Sequence, residues 1–294
     1  MVEATLMAAW ERLADETEHG FAWLCEGLDR EAPVTFVTNP GNVGDALINL
    51  GCYRYLAQHF SRVTICSVGG TPATETVFLA GGGNLIEPLY TAIADFVNDR
   101  CSGRQLRFFP SSVKGNVAFL DRIAGRTRML CREAVSFAHV AGHFPEASVR
   151  LGHDAAFALA PQLRAAFGSH IGGFPHAAAR FFRGDVERAQ DRLGDGDLMA
   201  RSGGSWADLG AAERAVAEAA TILLQYSRIY TDRLHCAILA AMLDRFVVMM
   251  ANSYYKNRAV FDFSLRQFAN VRFEDGSFSP PDASIRPRHG RQPA

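Results

Sequence analysis

Three things are scarce in this sequence: net charge, paired cysteines and long apolar runs. Lys and Arg number 30 against 31 Asp and Glu, a formal net charge of -1. The chain as a whole therefore has no electrostatic grip on nucleic acid, and any anion site must be local. The six cysteines, Cys25, Cys52, Cys66, Cys101, Cys131 and Cys236, are scattered through apolar segments with no CxxC pair. That spacing excludes a zinc ribbon and a disulfide framework and fits a reduced cytoplasm. No cluster of ligands asks for a metal. The apolar run 236–243 ends at Asp244 and Arg245, well short of the roughly 20 residues of a membrane span. The N-terminal stretch carries acidic side chains early and lacks the charged-then-apolar layout of a signal peptide, so it reads as an amphipathic helix. There is no repeat at solenoid spacing.

Apolar content, by contrast, is ample. Of 294 residues, 48% are hydrophobic and 21% charged, enough for a substantial core and for two domains or one large two-lobed unit. From residue 33 short β-rich runs alternate with helical patterns, the signature of a parallel α/β sheet. Strands are expected at 34–38, 62–68, 76–80, 106–110, 128–131 and 148–152, and helices near 44–59, 88–100, 116–125 and 133–141. A mixture of Pro, Gly, Ala and Ser at 160–178 predicts a linker. Further strands follow at 179–183, 228–231, 246–251 and 270–274, with an Ala-rich helix over 208–226. The expected organisation is an N-terminal helical segment (1–30), a first Rossmann-like lobe (31–165), a second (166–275) and a tail (276–294). That tail is rich in Pro, Ser and Arg and has too few apolar residues to pack.

Ligands of parallel sheets bind at the carboxyl ends of the strands, where loops enter helices. Four such regions carry unusual residues. In "TNPGNVGDALI" (38–48), Gly41 and Gly44 permit close backbone approach and the next helix offers free N–H groups to an anion; Asp45 either serves that site or supports the first helical turn. In "AGGGNLIEPLY" (80–90), Asn84 after the glycines either bonds a ligand or caps the next helix. In "LCREAVSFAHV" (130–140), Arg132 is either the partner of Glu133 or an anion clamp. In "YTDRLHCAILAAML" (230–243), Asp232 is the expected N-cap, with Arg233, Leu234 and His235 in the first turn. Two basic side chains at the positive end of a helix dipole are unfavourable unless an anion, or a carboxylate such as Asp232, offsets them; an Arg and a His together at a helix start favour a functional reading. Downstream, "ANSYYKNR" (251–258) brings Lys256 and Arg258 to the same rim.

The stretches "GNVGDALI" (41–48), "GGGN" (81–84), "REAVSF" (132–137), "FFRGDVE" (181–187), "TDRLH" (231–235) and "NSYYKNR" (252–258), in this order, resemble the polysaccharide pyruvyl transferase family over about 41–265. The resemblance implies a fold similar to the GT-B glycosyltransferases, with the active site in the cleft between two Rossmann-like lobes. It implies transfer of a pyruvyl group from phosphoenolpyruvate to two hydroxyls of a sugar, in a polysaccharide or its lipid-linked precursor, giving a cyclic ketal and phosphate. Arg132 and Arg233 would bind the phosphate and carboxylate of the donor, and His235 would be the acid/base residue. Gly41, Asn42, Gly44, Asp45, Gly82, Gly83, Asn84, Leu234, Ser253 and Lys256 would surround the donor. Phosphoenolpyruvate is then a co-substrate, with no other cofactor. The implied partners are that donor and a saccharide acceptor. Outside the resemblance, Arg286, Arg288 and Arg291 of the tail allow at most peripheral membrane contact, and a simple, partly disordered end is the favoured reading. The alternatives are a nucleotide-sugar glycosyltransferase of similar fold and a non-catalytic glycan-binding module.

Overall fold

The computed structural model describes residues 2–168 and 176–275. The first series of elements is α1 (Val2–Leu24), β1 (Val34–Thr38), β2 (Gly41–Asn42), α2 (Val43–His59), β3 (Val63–Ser67), β4 (Thr76–Leu79), β5 (Gly82–Ile86), α3 (Ala92–Arg100), β6 (Gln105–Lys114), α4 (Val117–Ile123), β7 (Thr127–Cys131), α5 (Ala134–Ala141), β8 (Val149–Leu151) and α6 (Ala160–Phe167). The second is β9 (His176–Phe181), β10 (Gly203–Gly204), α7 (Leu209–Leu223), β11 (Tyr226–Thr231), α8 (Leu234–Met242), β12 (Phe246–Met250), α9 (Lys256–Val260) and β13 (Val271–Glu274). The expected α/β class is what forms. A parallel sheet runs β3-β1-β4-β6-β7-β8, with β5 beside β6, and a second parallel sheet runs β13-β12-β11-β9.

The local sequence explains these elements. All five residues of β1, "VTFVT", are buried, as a strand covered on both faces requires. On α7, Ala212, Ala215, Val216, Ala219, Ala220 and Leu223 are buried at helical spacing, a stripe that faces the core. Helix α8 is buried on every side apart from His235, so the first turn alone is open to solvent or ligand. All six cysteines are buried and unpaired.

Three expectations need correction, and one pairing was not expected at all. Strand β6 runs through Pro110 to Lys114 instead of ending at 110, because a register shift against β7 between Phe108 and Ser111 absorbs the missing N–H. Its added length pairs with Gly82–Ile86, which is strand β5 and not the loop expected at the glycines. Residues 160–167 of the proposed linker form α6, with Pro161 in its first turn, where a missing N–H costs nothing; 169–175 lie outside the described residues, as does the 276–294 tail. The bridge between β2 and β10 had no signal in the sequence. It is antiparallel, pairing Asn42 with Gly203 and Gly41 with Gly204.

One apolar cluster ties the second sheet to the helices beside the first, whose own strands are buried in two further clusters. It takes Trp10 and Leu13 from α1, Leu47 and Leu50 from α2, Ala156 and Phe157 from the turn before α6, and Ala179, Ile229 and Val247 from the second sheet, with α7 and α8 between. Trp10 stacks on Phe268 at a centroid distance of 3.7 Å.

Candidate active site

Loops from the carboxyl ends of both sheets meet at one pocket of about 380 Å³, within the range of small-ligand cavities. The β1–α2 turn contributes Gly41, Asn42 and Asp45, and β5 contributes Gly83 and Asn84. Arg132 follows β7, Arg183 and Glu187 follow β9, Arg233 to His235 open α8, and Lys256 opens α9. Three expected donor-side residues lie off this lining. Gly44 sits beneath His235, where a Cβ would come 2.6 Å from Nδ1. Gly82 has φ +104 and packs against Ile48. Ser253 is exposed, with its N–H donating to the Glu187 carbonyl.

At the back of the pocket, Asp154 joins the two strongest sequence candidates. Its Oδ2 accepts from Arg132 Nη1 at 2.7 Å and lies 3.3 Å from His235 Nε2. The Arg132 and Asp154 side chains are both fully buried. Burial alone would raise the Asp154 pKa, but His235 and Arg132 overcome it and hold the carboxyl well below the usual range. Arg132 Nε donates to Ser112 Oγ at 2.9 Å, while its Nη2 has no partner among the described residues. Glu133 is not the partner of Arg132; it caps α5 by accepting from Ser136 N.

The outer wall is a lattice of charge. Arg183 Nε donates to Asp185 at 2.7 Å and its Nη1 to Glu187 at 2.6 Å. Glu187 also accepts from Lys256 and from Asn252 Nδ2. Burial raises the Glu187 pKa, but Lys256 and Arg183 outweigh it and bring it down to about 2. Lys256, in turn, is lowered to about 8 by burial, with Glu187 opposing. Arg233 donates through Nε and Nη2 to Asp197 and forms an ion pair through Nη1 with Asp185 at 2.7 Å. It therefore reaches the pocket already tied to two carboxylates. Arg258 stands elsewhere, on the surface with Asp262 and Asp275.

Three capping expectations are settled by geometry. Asn42 caps α2 and accepts from Gly44 N, while Asp45 returns the bond by accepting from Asn42 N at 3.0 Å; this is the reciprocal capping box. Burial raises the Asp45 pKa against the pull of His235. Asn84 belongs to β5 and caps nothing. Asp232 is not the cap of α8: Arg233 holds that position, Thr231 Oγ1 accepts the Arg233 N–H, and Asp232 accepts from Arg183 N at 2.8 Å. Sequence reasoning missed Asp154, Arg183, Glu187, Asp185 and Asp197. The one available signal is "FFRGDVE" (181–187), part of the family resemblance, which by itself gives Arg183 and Glu187 no role.

Fold and pocket together define an α/β protein with a buried, cation-rich cavity at the strand ends. The chain belongs to the polysaccharide pyruvyl transferase family, whose model matches residues 42–254, most of its length. Membership makes it a transferase and implies a saccharide acceptor. The structure is similar to the crystal structure of a functionally uncharacterised protein from Klebsiella pneumoniae subsp. pneumoniae, with 25% identity and a TM-score of 0.74 over 88% of this chain and 99% of that one. No match was found among curated proteins. Among the described residues, no group of three or more His, Cys, Asp or Glu is placed to hold a metal ion, and no helix is long and apolar enough to cross a membrane.

Proposed function

We propose that the protein transfers the pyruvyl group of phosphoenolpyruvate to two hydroxyls of a sugar, in a polysaccharide or its lipid-linked precursor, forming a cyclic ketal and releasing phosphate. The observation that carries this reading is the shared Asp154 oxygen, which sets His235 beside Arg132 in the pocket that also holds Lys256. A proton carrier and two cations thus serve one small volume, as a donor bearing both phosphate and carboxylate requires.

An acid delivers a proton to the methylene carbon of the enol, leaving the adjacent carbon electron-poor. A sugar hydroxyl attacks that carbon and gives up its proton, the bond to the phosphate oxygen breaks, and phosphate leaves. A second hydroxyl then adds to the same carbon, loses its proton and closes the ketal. His235 carries the proton of one step, because its ring lines the pocket and stands against the Asp154 carboxylate. Asp154, kept ionised, orients the ring. Arg233, committed to Asp185 and Asp197, acts through the field of its cluster and not as a free clamp.

The test is incubation of the purified protein with phosphoenolpyruvate and a panel of free and lipid-linked glycans, following phosphate release together with mass gain on the sugar. Consumption of a nucleotide sugar, with phosphoenolpyruvate neither bound nor turned over, would sink the reading.

A further inference from the structure

The structure assigns Tyr254, together with Arg132 and Lys256, to an oxyanion cradle that faces the bare Cα of Gly83 and takes one anionic end of the donor. This deepens the proposed function and rests on it for the identity of the donor. A Cβ built on Gly83 would lie 3.4 Å from Arg132 Nη2, 3.6 Å from Tyr254 Oη and 3.7 Å from Lys256 Nζ. Three donors, one following β7 and two on the stretch that leads from β12 into α9, therefore aim at one point on the pocket wall.

Two of the three have no acceptor. Arg132 Nη2 and Tyr254 Oη are buried and unpartnered among the described residues, a state that costs free energy in a folded protein unless a ligand relieves it. Lys256 uses one of its three N–H bonds on Glu187, leaving two. Its ammonium sits over the Tyr254 ring at 5.1 Å, which fixes the pair. Burial, helped by Glu187, holds the Tyr254 phenol above its ordinary pKa, so the hydroxyl stays protonated and donates. Arg183 and Arg233, by contrast, have their donors engaged by Asp185, Asp197 and Glu187.

Gly83 explains itself in the same terms. It is not among the glycines with positive φ, so its backbone does not demand glycine. Distances of 3.4 to 3.7 Å admit a methyl group without collision. What a methyl would take is the space in which an oxyanion meets the three donors.

The experiment is calorimetric titration of the full chain with inorganic phosphate, pyruvate and phosphoenolpyruvate. Gly83→Ala is expected to melt like the wild type yet bind phosphoenolpyruvate at least about tenfold more weakly, and Tyr254→Phe to lose about tenfold, the value of one hydrogen bond to a charged group. Whichever of phosphate or pyruvate weakens in parallel names the end that the cradle holds. Wild-type affinities in a folded Tyr254→Phe variant, or no binding of any of the three by the wild type, overturn the cradle. Should Gly83→Ala fail to fold, Tyr254→Phe decides alone. Loss of affinity in the variants, with no glycan modified by the wild type, leaves the cradle standing and removes the pyruvyl reading; normal turnover with unchanged affinities does the reverse.

Discussion

His235 and Arg132 depend on one carboxylate oxygen, and that dependence sets the predictions at the scale of the residue. His235→Ala is expected to lower kcat by about 10²- to 10⁴-fold while the melting curve stays in place; a variant that unfolds instead would favour a structural role. Asp154→Asn leaves Arg132 buried without its counter-charge and should cost about 3–5 kcal/mol in a denaturant titration. The folded pKa of Asp154 is depressed, so its stabilisation is fully present above the unfolded value of about 3.9 and is lost as pH falls below it. Acid unfolding of Asp154→Asn should therefore show a shallower slope below that pH than the wild type. Lys256 gives an alkaline limit: with its pKa lowered to about 8, the ammonium discharges above that pH. KM for phosphoenolpyruvate should rise there, and Lys256→Arg should remove the inflection. His235, Arg132 and Lys256 were legible in the sequence because basic residues at helix starts are conspicuous. Asp154 was not, since it lies 81 residues from His235 and only the fold makes them neighbours.

Among elements, most strands declared themselves as β-rich runs, and what stayed hidden depended on partners. Pro110 reads as a stop, yet the shifted register beside β7 carries β6 past it, and only a strand of that length gives the glycine-rich 82–86 segment something to pair with. Pro161 reads as a linker residue and instead starts a helix. The close seat of α2 has a sharper test. A Cβ on Gly51 would fall 2.2 Å from the Ala155 carbonyl oxygen, and backbone cannot step aside as a flexible side chain would. Gly51→Ala should destabilise by about 1–3 kcal/mol, measured by chemical denaturation, even though alanine is the better helix former.

The molecule as a whole is knit by the cluster that runs from α1 through α2 and α8 into the second sheet. That cluster packs the second sheet against helices that flank the first, so the two sheets should melt together, and calorimetry and far-UV dichroism are expected to report a single coincident transition. Trp10, fully buried and stacked on Phe268, is a suitable probe: Trp10→Ala should cost about 3–5 kcal/mol and lower that one transition without splitting it. The bridge between β2 and β10 adds a different kind of tie. Trp206 Nε1 donates to the Gly41 carbonyl at 3.1 Å and Thr38 Oγ1 to the Ser205 carbonyl at 2.7 Å, so the turn that forms one wall is stitched to the segment behind Met199 on the other. Hinged opening would have to break those bonds. The two walls are thus held in register before a guest arrives, which leaves less ordering for binding to do.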